Sequence, residues 1–63
     1  MCLSTVYKNE KTPDAVVMRN VMSLECKDCM VILTDLMDRQ VAVEGTLVSA
    51  NLVDGFVIVK ETA

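Results

Sequence analysis

The stretch Val41-Ala42-Val43-Glu44-Gly45-Thr46-Leu47-Val48-Ser49-Ala50-Asn51-Leu52-Val53-Asp54-Gly55-Phe56-Val57-Ile58-Val59-Lys60 decides the fold class. Val41 and Val43 open a β-branched run that Glu44-Gly45 interrupts. A glycine inside a strand marks a bulge or a sharp bend, as small barrels use at their corners. Residues 47–52 continue the strand. Asp54-Gly55 is the strongest hairpin signal in the chain, because this pair tolerates the positive φ angles of a tight turn. Residues 56–60 then return as the last strand.

The same grammar extends toward the N-terminus. Residues 2–8 alternate, with Leu3, Thr5 and Tyr7 on one side and Ser4, Val6 and Lys8 on the other. Asn9-Glu10-Lys11-Thr12-Pro13-Asp14 is a polar loop, since Pro13 cannot donate to a central ladder. A second strand is expected over 15–19, bending at Arg19-Asn20 and resuming over 21–26. Lys27-Asp28 fits a two-residue hairpin turn, residues 29–35 a third strand, and Asp38-Arg39 the next turn. Short strands with turns roughly every 8–12 residues, one of them kinked, predict a single all-β domain over 1–63: a small, partly open antiparallel barrel of about five to six strands. A helical alternative is confined to residues 21–36.

The chain has 63 residues, 52% of them hydrophobic, and its only aromatics are Tyr7 and Phe56. Below roughly 70–80 residues a single core rarely supplies more than about 3–5 kcal/mol, so a disulfide, a metal or a partner subunit usually assists. So much aliphatic surface cannot all enter one small core, which predicts a homodimer. The net charge is −3 with no basic stripe, and phosphate contacts dominate nucleic-acid affinity, so nucleic-acid binding is disfavoured. No run approaches the roughly 18 apolar residues of a membrane span, and no basic stretch precedes an apolar one as in a signal peptide. The expectation is a cytoplasmic protein without membrane contact, its three cysteines reduced.

Histidine is absent, which removes the commonest general base and metal ligand. There is no nucleophile–base pair and no glycine-rich phosphate loop, and Asp35 and Asp38 read as strand-end and turn residues. The chain is therefore expected not to be an enzyme. Cys2 is the residue with chemistry. If Met1 is removed, Cys2 offers a free amine and a thiolate in one chelate; if Met1 stays, its amine and the Cys2 amide nitrogen and thiolate form a longer one. Two such arms at a two-fold axis give two nitrogens and two sulfurs, a set suited to square-planar Ni(II) or Cu(II).

Cys26-Lys27-Asp28-Cys29 is the second feature. Its spacing around a turn, with two cysteines facing across the strand ends, allows three roles. The pair can be two small strand residues without chemistry, a dithiol couple, or half of a four-thiolate zinc site closed across a dimer. Met1, Met18, Met22, Met30 and Met37 are spread over several strands and read as core or interface filling.

Read end to end, the chain resembles the CooT family of small nickel-binding accessory proteins of carbon monoxide dehydrogenase maturation. The resemblance is carried by Met1-Cys2-Leu3 with Val6, Leu33-Thr34-Asp35-Leu36, Val43-Glu44-Gly45, Asn51-Leu52 and Gly55-Phe56-Val57-Ile58. It implies an SH3-like barrel that dimerises and holds one Ni(II) at the dimer interface through Cys2, with nitrogen donors from the Met1–Cys2 backbone. The implied partners are a second copy and a nickel enzyme or its maturation machinery. The chain departs from the pattern at Cys26 and Cys29, where a glycine-containing turn is more usual. The alternative reading is a small barrel interaction module, zinc-stabilised through Cys26 and Cys29 or binding RNA.

Overall fold

Turn residues cut the chain into its strands. The computed structural model describes residues 3–62, with β1 at Ser4–Lys8, β2 at Val16–Lys27, β3 at Met30–Asp35, β4 at Gln40–Asn51 and β5 at Phe56–Glu61. Asn9, Asn20, Asp28, Cys29 and Asp38 take φ between 47° and 69°, and Gly55 takes 76°. Asn and Asp enter this left-handed region more readily than other side-chain-bearing residues. Pro13–Ala15 forms a single 3-10 turn with the proline at its start, so β2 begins at Val16 rather than at Ala15.

The strands follow one another round a closed ring in sequence order. Successive strands are antiparallel, and the ring closes through a parallel β1–β5 ladder from Thr5↔Phe56 to Lys8↔Val59. The expected small all-β barrel is what forms, with five strands. No helix forms over 21–36, because β2 and β3 pair there as a hairpin whose inner face carries the valines and leucines of the core.

Two long strands each serve two neighbours. In β2, residues 16–21 pair with β1 and residues 21–27 with β3, the change of partner falling beside Asn20 at φ 56°. In β4, residues 40–44 pair with β3 and residues 45–51 with β5. Gly45 sits at that change, so the Glu44-Gly45 step bends β4 without breaking it. A Cβ built on Gly45 would collide with the Lys60 carbonyl oxygen and stand 2.9 Å from its carbon. Only glycine lets the two backbones approach this closely. Residues 16–20 and 40–43 pair on one side only, and a groove runs between them although the ring of strands is closed.

The core is aliphatic: Val6, Val21, Val31, Leu33, Val43, Val57 and Val59, with Val17, Met18 and Leu24 packed against it. Each fully buried side chain of this kind contributes about 1.5–3 kcal/mol. Met22, Leu36, Met37, Val41, Leu47, Val48, Leu52 and Val53 remain exposed. Of the methionines, Met18 therefore fills core space, while Met22 and Met37 lie outside it.

Candidate functional site

Met1 and Cys2, the expected metal ligands, lie outside the described residues. The ground they adjoin is described. Leu3 leads into β1, the Thr5 N–H donates to the Gly55 carbonyl at 3.0 Å, and the Leu3 carbonyl lies beside Gly55. The start of β1 thus rests on the β4–β5 hairpin.

That hairpin differs from the expected two-residue Asp54-Gly55 turn. Asn51 pairs with Phe56, so Leu52, Val53, Asp54 and Gly55 all belong to the loop. Asn51 organises it: its Oδ1 accepts the N–H groups of Val53 (3.1 Å) and Asp54 (2.8 Å), and its Nδ2 donates to Asp54 Oδ2 at 3.1 Å. The Gly55 N–H donates to the Asn51 carbonyl at 2.9 Å. The consequence is that Leu52 and Val53 project at 73% and 94% exposure. The braced loop tip thus holds two aliphatic side chains in water and stands next to Leu3 and the start of β1.

The β3–β4 turn is built on Asp35, a buried carboxylate at 2% exposure. Its Oδ1 accepts the N–H groups of Met37 and Arg39, each at 2.9 Å, and its Oδ2 accepts Arg39 Nε at 2.8 Å. The Arg39 backbone N–H foremost, then its guanidinium and the Met37 N–H, hold the Asp35 carboxyl below its ordinary range against the opposing effect of desolvation. Every buried side-chain oxygen and nitrogen among the described residues has a partner. Asp35 is consequently a turn-building group, fully engaged by its own loop.

The cysteine pair is placed differently from the expectation. Lys27 pairs with Met30, so the two-residue turn is Asp28-Cys29, both at positive φ as in a type I′ hairpin. Cys29 is inside the turn rather than at the head of β3, and the residue opposite Cys26 is Val31. The cysteines do not face each other across the strand ends. Both are free and exposed.

Among the described residues, no three His, Cys, Asp or Glu side chains converge to hold a metal ion. A groove of about 520 Å³ between the unpaired edges is lined by Asp14, Val17, Val43, Glu44, Lys8 and Glu61, with Lys8 Nζ 3.6 Å from Glu61 Oε2. It presents no convergent set of catalytic groups. No helix of the described residues is long and apolar enough to cross a membrane.

Residues 1–60 match the family model described as CO dehydrogenase accessory protein CooT. No curated protein matches the chain.

Proposed function

The chain belongs to the CooT family of CO dehydrogenase accessory proteins, and from that membership we propose that it is a nickel metallochaperone or reservoir. It carries Ni(II) as cargo for a nickel enzyme such as carbon monoxide dehydrogenase, and catalyses no reaction of its own. Two copies hold one ion between them in the cytoplasm, each supplying the Cys2 thiolate and a nitrogen of its Met1–Cys2 segment.

The observation that carries this reading is the position of the apolar loop tip. Leu52 and Val53 expose aliphatic surface on the hairpin against which the start of β1 is hydrogen bonded. Pairing two copies through these tips would cover that surface and bring the two segments preceding Leu3 toward one axis, since an isologous contact sets identical residues opposite each other. A four-donor set of two thiolates and two nitrogens suits square-planar Ni(II).

The test is a Ni(II) titration of reduced protein with mass and absorption read together. A yellow, diamagnetic species saturating at one metal per two chains is expected, and Cys2→Ser should remove it. Full binding by the Cys2→Ser protein would overturn the assignment.

A further inference from the structure

A second set of soft donors stands at the tip of the β2–β3 hairpin, apart from Cys2. Directly paired residues share a sheet face, so Cys26 lies on the same face as its partner Val31, which is 1% exposed. Cys29 occupies the second position of the type I′ turn at φ 65°. The Gly45 N–H donates to the Cys29 carbonyl at 2.9 Å and pins the turn onto β4. Cys26 and Cys29 line one hollow of about 240 Å³, whose other walls include Val31, Gly45 and Leu47. Lys27 lines it too.

Cys29 stands where its backbone is strained. The second position of such a turn favours glycine, and a side chain there carries a cost. Departures of this kind point from the strained residue toward a use for it.

We propose that Cys26 and Cys29 form a dithiolate clip for Cu(I), one ion per chain, independent of the Cys2 site. The donor count selects the ion. Structural zinc needs four ligands, and no third His, Cys, Asp or Glu joins these two among the described residues. Thiolates are the soft donors that Cu(I) prefers, and this ion is content with about two sulfurs. On binding, two S–H protons leave and two Cu–S bonds form, with no change of oxidation state. The pinned turn holds both thiols ready on one rigid hairpin, which reduces the ordering cost of capture.

The experiment is an anaerobic competition of the reduced protein against Cu(I) bicinchoninate, followed by chelator colour and by the ultraviolet sulfur-to-copper charge-transfer band. One Cu(I) per chain is expected in the natural protein and in Cys2→Ser, with loss of that stoichiometric binding in Cys26→Ser and in Cys29→Gly. Cys29→Gly relaxes the turn and should raise Tm, so its loss of copper cannot be ascribed to unfolding. Retained binding in either of these variants overturns the proposal. So does loss in Cys2→Ser, or saturation at one metal per two chains, which would instead indicate a site shared between copies.

Discussion

Asp35 and Arg39 are joined three times: the Arg39 N–H donates to Asp35 Oδ1 at 2.9 Å, Arg39 Nε to Oδ2 at 2.8 Å, and the Asp35 N–H to the Arg39 carbonyl at 2.9 Å. The ion pair alone would count for little, because the Arg39 side chain is 75% exposed and screened by solvent. The backbone donors give the arrangement its force. They favour the ionised carboxylate, and they hold the reversal between β3 and β4 in one geometry.

This relationship makes the fold acid-sensitive. The folded-state pKa of Asp35 lies below its ordinary 3.8, so the stabilisation is fully present above about pH 4 and is lost as pH falls through the folded value. Asp35→Asn should lower Tm at pH 7 and flatten the decline of Tm between about pH 4 and pH 2. Thermal melts of both proteins across that range check it; an unchanged acid slope in the variant would count against Asp35 as the group responsible.

Gly45→Ala should be among the most damaging small substitutions. The added methyl meets the Lys60 backbone rather than a movable side chain, so β4 and β5 must separate at the barrel corner. The expected loss is about 3 kcal/mol or more, the upper end of overpacking costs. For a chain this small, that is comparable to the whole stability, and circular dichroism should show a largely unfolded population.

Leu33→Ala removes the largest completely buried side chain among the described residues. A loss of about 2–5 kcal/mol is expected from transfer and cavity terms. Urea melts should show it as a shifted midpoint. If the natural protein is a dimer, raising the protein concentration should recover part of the loss by mass action.

Cys29→Gly works in the opposite direction. Freeing the second turn position from a side chain in the left-handed region should add about 1 kcal/mol, less whatever flexibility glycine gives the unfolded chain. A higher urea midpoint checks this. An unchanged or lower one would mean that the Cys29 side chain contributes packing that its exposure does not suggest.

Nickel should leave the protein at milder acidity than unfolds it. Thiol and amine groups must lose protons before they ligate, so Ni(II) affinity should fall well above pH 4, while the Asp35 turn still holds. Following the metal absorption and the circular dichroism in one acid titration separates the two events. Coincident loss would instead tie the metal to the fold itself.

The alternation of residues 2–8, the valine runs and the punctuation by Asn, Asp and Gly are enough to give an all-β barrel and to mark Gly45 and Arg19-Asn20 as its bends. These are local signals, set by side-chain period and φ preference. Ring closure is not local. The parallel β1–β5 ladder joins residues about fifty positions apart, and no short window of sequence encodes it.

Turn lengths escape for a related reason. The hydrophobic pattern does not tell Asp28-Cys29 from Lys27-Asp28, because moving the turn by one residue shifts the β2–β3 pairing by two and leaves Val31 and Leu33 on the same face; the packed register, Cys26↔Val31 and Leu24↔Leu33, selects the former. The β4–β5 loop takes in Leu52 and Val53 because Asn51 braces it, through hydrogen bonds invisible until Asn51 and Phe56 are paired. The sequence by itself therefore determined the strands, the bends and the sulfur-bearing residues, since each follows from local backbone and side-chain chemistry. Only the tertiary structure decided which edges meet, that Cys26 and Cys29 share one hollow, and that two exposed aliphatic residues stand beside the start of β1, because those depend on how distant strands pack around a common core.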